Sequence, residues 1–225
     1  MSWACSPSQP HSMPQLKGVQ MKIVTDIQQG TPEWLALRLG IVTASELECL
    51  LVNGKGEAGF GVAAFTYMDQ LIGERITEEA AELPFQTKAT IRGHEQEHTA
   101  GGLYEAREDV TSRHVGIILN HGIGYSPDGL IGDSGLIEIK TKLPKFQVGV
   151  ILSGEVPKEH VAQCQGGLWV SEREWIDFIS YWPGMPLFVK RLYRDEALIR
   201  KISERVKTFY EILDERMNRV LGIAA

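Results

Sequence analysis

Cysteine is scarce in this chain. Cys5, Cys49 and Cys164 are widely spaced and odd in number, which argues against a disulfide framework and for a reducing compartment. Long apolar runs are missing too. No stretch approaches the roughly 20 residues that a membrane-spanning helix needs, so no membrane partner is expected and a cytoplasmic location is. Nor is positive charge in excess: 23 Lys and Arg stand against 29 Asp and Glu, a net charge of -6. Binding to a polyanion is normally driven by Lys and Arg releasing counterions, so this balance weighs against a nucleic-acid partner. It does not exclude one, because a cleft can concentrate positive potential while the exterior stays acidic. There is no internal repeat, no heptad array and no convincing linker. What remains is 225 residues with 43% hydrophobic content, ordinary for one large globular domain. The first 20 residues are rich in Ser, Pro and Gln and lack the apolar stretch of a signal peptide. Residues 1–24 therefore read as a flexible extension and 25–225 as a single domain, with ordered-looking sequence beginning near Met21.

The periodicity of the chain changes along its length. Thr31-Pro32-Glu33 reads as an N-cap, a first-turn proline and a first-turn acid, opening a helix toward Gly40. Further helices are expected over 45–52, 62–76 and 88–108, with a glycine-rich loop at 53–61. Strands are expected over 113–119, 122–125, 136–140, 175–181 and 187–193. A helix opened by Pro157 interrupts them, and a charged amphipathic helix over 195–221 ends the chain. Helices before, between and after strands imply an α/β fold: a mixed central β-sheet flanked by helices.

Within that sheet, two short segments carry chemistry. Ser126-Pro127-Asp128 and Glu138-Ile139-Lys140 flank Gly132-Asp133-Ser134-Gly135, a turn signal between apolar runs, so they are expected on one hairpin. Side chains alternate along a strand, which puts Glu138 and Lys140 on one face and Ile137 and Ile139 on the other. Asp128, near the end of the first strand, would join the former. Carboxylates suit the hard cation Mg²⁺, which acidifies a bound water and neutralises charge on a phosphodiester under attack. A lysine beside such ions is desolvated and repelled, both of which lower its pKa, so it can orient or deprotonate the water. Lys142 and Lys145 lie close by in sequence. The bland alternative is a surface hairpin facing water.

A competing pattern is His94-Glu95-Gln96-Glu97-His98, an H-E-x-x-H match on a predicted helix, the spacing of two zinc-binding imidazoles with a glutamate base. No further histidine stands at the metzincin spacing, since His114, His121 and His160 fall on other elements. Read with the hairpin instead, Glu97 is a helix carboxylate that can complete a metal site, with Gly93 and Gly101 allowing close approach to the sheet. Phe60, Phe65 and Phe85 are candidates for a wedge that splits a duplex, with packing as the alternative role.

Taken in order, Trp34 to Ser45, Gly93 with Glu97, Ser126-Pro127-Asp128-Gly129-Leu130, Glu138-Ile139-Lys140 and Ala162-Gln163 resemble the bacteriophage lambda exonuclease-type (YqaJ-like) alkaline exonucleases of the PD-(D/E)XK superfamily. The resemblance spans roughly 27–170, and it departs from the family at Lys140-Thr141-Lys142, where a cysteine and a proline often follow the lysine. It implies a restriction-endonuclease-like core and a Mg²⁺-dependent exonuclease, with two ions per site and Mn²⁺ as a substitute. Such an enzyme degrades one strand of linear double-stranded DNA from a 5′-phosphorylated end, releasing mononucleotides and leaving a 3′ overhang. It further implies a homotrimeric ring, a single-strand annealing protein as partner in phage recombination, and a bacterial host cytoplasm. Encirclement would ease the charge problem, because release then requires leaving a ring. By resemblance, Asp128, Glu138 and the Ile139 carbonyl bind metal, Glu97 binds the second ion, and Lys140 serves the water. Arg38, Ser45, Ser126 and Gln163 resemble a 5′-phosphate pocket, and Lys142 is a further DNA contact. The chemistry suits: a planar donor fork, hydroxyls and an amide. From the residues alone Arg38 could equally cap a helix, Ser45 could be an N-cap and Gln163 could bond within the core. A structure- or site-specific endonuclease on the same core is the alternative among nucleases, and an H-E-x-x-H zinc protease the alternative outside them.

Overall fold

The computed structural model describes residues 20–80 and 88–222, with 88–91 and 94 described by their backbone. In chain order, β1 (Lys22–Val24), α1 (Pro32–Arg38), β2 (Val42–Thr43), α2 (Leu47–Leu51), α3 (Val62–Thr77) and α4 (Lys88–Glu108) precede a run of strands. These are β3 (Ser112–Arg113), β4 (Ile117–Asn120), β5 (Ile123–Tyr125), β6 (Gly129–Ile131) and β7 (Gly135–Thr141). Then come α5 (Pro144–Ser153), α6 (Lys158–Ser171), β8 (Trp175–Tyr181), β9 (Phe188–Tyr193) and α7 (Glu196–Val220).

The single mixed sheet expected from sequence is two sheets. One has the order β1-β4-β5-β2 and the other β3-β6-β7-β8-β9. Each mixes parallel and antiparallel pairs: β2 runs parallel to β5 and β7 parallel to β8, the other neighbours being antiparallel. The chain crosses between the sheets at Ser126–Asp128, which belong to no strand. α5 and α6 form the long crossover that a parallel β7–β8 pair requires.

The expected hairpin forms as β6 and β7, in the register Gly129↔Ile137 and Leu130↔Leu136. Asp128 stands immediately before β6 rather than near its end. Arg173 fixes the turn, with Nη1 donating to the carbonyls of Gly132 at 2.9 Å and Gly135 at 2.6 Å. β1 lies on the extension side of the boundary expected at residue 24. It pairs with β4, and Gly116 N donates to Val24 O at 2.8 Å, so the folded chain begins before that point.

Both faces of the five-stranded sheet are covered. Leu136, Ile176 and Phe178 join the main core with Leu168 of α6, Phe209 of α7 and Met68 of α3. Ile137, Ile139, Ile179 and Tyr181 point the other way and pack with Ala100 and Tyr104 of α4. The period-2 alternation of β7 and β8 thus feeds two cores, which is why both strands are rich in apolar residues. Beneath α4, Asp177 is held by Arg191 in a bidentate pair at 2.8 and 2.7 Å and by the Tyr104 hydroxyl at 2.7 Å, which satisfies a buried carboxylate. Among the described residues, no helix is long and apolar enough to cross a membrane.

Candidate active site

The site forms where the Ser126–Asp128 crossover meets the middle of β7. Glu138 points toward α6 and is only 2% exposed. Burial of an ionised carboxylate is tolerable only with donors, and three reach it. Lys140 Nζ lies 2.7 Å from Oε1, Gln163 Nε2 of α6 donates to the same oxygen, and the Tyr125 hydroxyl donates to Oε2 at 3.0 Å. Lys140 feels two opposed effects. Burial pulls its pKa down, but the charge and hydrogen bond of Glu138 outweigh that and hold the ammonium above its ordinary value.

Asp128 Oδ2 accepts from Ile139 N at 2.6 Å, which ties the crossover to β7. Its carboxyl is pushed well above the ordinary range by burial and then by the negative charge of Glu138, with Glu97 adding to the effect. The Ile139 N–H and Lys140 oppose this without cancelling it. Asp128 and Ile139 also line a cleft of about 670 Å³ together with Glu97 of α4. Glu97 therefore approaches from the α4 side of β7, whereas Glu138 and Lys140 face α6, and Asp128 stands between the two groups. Glycine is not what permits that approach. A β-carbon on Gly93 or Gly101 would meet its nearest neighbour at 3.7 Å, an ordinary contact.

This donor set fits a hard divalent cation. Every candidate ligand is an oxygen: the carboxylates of Asp128, Glu138 and Glu97 and the Ile139 carbonyl. Burial and then like-charge crowding raise Asp128, and a cation would relieve the crowding. Among the described residues, no group of three or more His, Cys, Asp and Glu side chains is arranged to hold an ion alone. A Mg²⁺ that keeps several waters needs only one or two carboxylates.

The residues expected at a 5′ phosphate are divided. Gln163 stands in the centre just described. Arg38 lies over the Trp34 ring, 4.2 Å from its centroid, and Trp34 Nε1 donates to Ser126 Oγ at 2.9 Å, so one indole links Arg38 to Ser126. Arg38 also lines a separate cavity of about 240 Å³ with Glu46 and Glu74. Burial lowers its pKa, against the pull of those acids. Ser45 is exposed inside a 3₁₀ turn, with its Oγ 3.1 Å from that of Thr43. It is not the N-cap of α2, a position held by Glu46. Lys142 pairs with Glu159 at 3.7 Å.

Other expectations resolve plainly. Phe60 is fully buried core, Phe65 packs edge-on against it, and Phe85 lies outside the described residues. In the H-E-x-x-H segment His98 is exposed beside the cleft, and the side chain of His94 lies outside the described residues. Tyr125 was not among the expected site residues, although its place next to Ser126 at a strand end was a usable signal. Gln29 likewise lines the cleft, with its amide bonded to the carbonyls of Val115 and Pro127.

Comparison with known proteins places the chain in a family. No protein of curated function matches the chain. The alkaline exonuclease of Laribacter hongkongensis shares 33% identity over 84% of this chain and 96% of its own, with a TM-score of 0.76. The same enzyme in complex with dAMP gives a TM-score of 0.75. A phage-related exonuclease from Haemophilus somnus 129PT has the same fold at 18% identity, covering 83% of this chain and 99% of its own, with a TM-score of 0.62. The fold is that of the PD-(D/E)XK nucleases. The model of the YqaJ-like viral recombinase domain matches residues 33–174, a span that holds Arg38, Glu97, Asp128, Glu138, Lys140 and Gln163, and the chain belongs to that family.

Proposed function

We propose that this protein is a Mg²⁺-dependent exonuclease that degrades one strand of linear double-stranded DNA from a 5′-phosphorylated end, releasing mononucleotides and leaving a 3′ overhang. A DNA nuclease is the coarse reading that family membership supports. The observation that carries the finer one is the Asp128, Glu138, Lys140 and Gln163 constellation around β7, with Lys140 Nζ 2.7 Å from Glu138. Asp128, Glu138 and the Ile139 carbonyl would hold one Mg²⁺ and Glu97 would serve a second, and the ions would supply charge neutralisation at the phosphate and acidify a water. Mn²⁺ is expected to substitute.

The chain's own groups do the rest. Lys140, whose partner oxygen on Glu138 is shared with Gln163, orients the attacking water. Asp128, braced by the Ile139 N–H, keeps its carboxylate fixed while negative charge gathers at the phosphorus. Arg38 and Ser126, linked through Trp34, receive the terminal phosphate. Ser45 and Gln163 complete that pocket, and Lys142 contacts the strand beyond it. A homotrimeric ring, a single-strand annealing partner and work within a bacterial host belong to the same proposal. The test compares duplexes carrying 5′ phosphate or 5′ hydroxyl in Mg²⁺ and in EDTA, alongside the mass of the free protein by light scattering. Preference for the phosphate, silence in EDTA and a trimer mass are expected. Equal rates on both ends would remove the phosphate pocket from the proposal.

A further inference from the structure

Two side chains, one from the segment before α1 and one from its first turn, make the same bridge. Gln29 Nε2 donates to Val115 O and to Pro127 O, both at 2.9 Å. Trp34 Nε1 donates to Gly116 O at 3.0 Å and to Ser126 Oγ at 2.9 Å. Each therefore joins residues 115–116, just before β4, to residues 126–127, just before Asp128. The segment lies directly on that junction. Gly116 N donates to Val24 O, and a β-carbon on Gly116 would fall 2.3 Å from the Ile27 carbonyl oxygen. A turn at Gln28–Thr31, closed by Thr31 Oγ1 on Gln28 O at 2.9 Å and passing through Gly30 at φ +83°, returns the chain toward α1 with Gln29 at the cleft.

Pro127 carries no backbone N–H, and Asp128 belongs to no strand, so the crossover has few ladder bonds of its own. What fixes Asp128 is the Ile139 N–H on one side and, on the other, the carbonyl of its neighbour held by Gln29. We infer that Gln29 is a positioning residue for Asp128: its amide holds the Ser126–Asp128 crossover in the geometry that binds the metal ion. Trp34 braces the preceding residue in the same way and so sets Ser126. Gln29 lies ahead of the segment 33–174 matched by the family model. The inference rests on the proposed function, since it assigns Asp128 to the metal.

The test is calorimetric titration of the full-length protein with Mg²⁺ and Mn²⁺, comparing wild type with Gln29→Met and Gln29→Glu. Both substitutes approach the size of glutamine, and neither offers the amide donors. Affinity for Mg²⁺ is expected to fall about 10-fold, as for the loss of other groups that hold a ligand in place. The Mg²⁺ concentration that half-saturates cleavage should rise in parallel, while kcat at saturating Mg²⁺ stays within about 2-fold. The glutamate substitution would also add negative charge to the cleft, so a weakened Gln29→Met protein beside an unweakened Gln29→Glu protein still supports lost positioning. Wild-type affinity in a folded Gln29→Met protein overturns the inference. If Gln29→Met does not fold, Gln29→Leu, which also lacks the amide donors and adds no charge, decides by the same criterion. No Mg²⁺ binding by the wild type would instead defeat the proposed function, and so separates the two failures.

Discussion

Glu138 is a buried acid whose charge is matched by Lys140, and the pair decides how the centre responds to substitution. Lys140→Ala should lower the cleavage rate by about 10²- to 10⁴-fold, the range for a group that moves or orients a proton, with little change in DNA affinity measured in EDTA. Asp128 gives a prediction with a definite pH direction. Its carboxyl titrates above the ordinary value because burial, Glu138 and Glu97 disfavour the charge. The folded, metal-free protein thus holds this proton more tightly than the unfolded chain does. The stability it contributes is fully present below the ordinary carboxylate pKa and is lost as pH rises through the elevated one. Asp128→Asn should therefore melt higher than wild type in EDTA near neutral pH, and the gap should close toward about pH 4, the ordinary carboxylate range. Adding Mg²⁺ should raise the wild-type melting temperature and not that of Asp128→Asn. An equal Mg²⁺ shift in both proteins would contradict Asp128 as a ligand.

At the scale of elements, the five-stranded sheet is held by pairs that cross it. Asp177 on β8 and Arg191 on β9 are register partners, and the Arg191 guanidinium also lies 3.6 Å from the centroid of the Trp175 ring. Arg191→Leu would strand a carboxylate that is 2% exposed, so a loss of about 3 kcal/mol in urea unfolding is expected. Period alone made α3, α4, α6 and α7 and the strands β7, β8 and β9 legible in sequence, and α1, α2 and β5 were expected as well, α1 from its Thr31 cap and first-turn proline. β2 has two residues, too few to alternate. α5 escaped notice because Val148, Val150 and Ile151 make a β-branched run after Pro144, and it has no side-chain N-cap to mark its start. The grouping of Asp128, Glu138 and Lys140 was readable because turn chemistry and period-2 alternation place them together locally. The clips were not. Gln29 and Pro127 are 98 residues apart, and Arg173 and Gly132 are 41 apart, so only tertiary packing joins them.

The whole molecule is acidic, and its substrate is proposed to be a polyanion. Nonspecific attraction is therefore expected to be weak, and productive binding should depend on the cations gathered near the cleft: the proposed Mg²⁺, Lys142 and Arg38. A trimeric ring would convert that weak affinity into persistence, since a threaded duplex cannot leave sideways. The most direct measurement pairs a 5′-labelled linear duplex with a covalently closed circle of the same sequence, each in Mg²⁺ and in EDTA. The expected result is release of the label as mononucleotide from the linear molecule, in Mg²⁺ alone, with the circle intact. Cutting of the circle, or label release that survives EDTA, would contradict a metal-dependent enzyme that begins at a 5′ end.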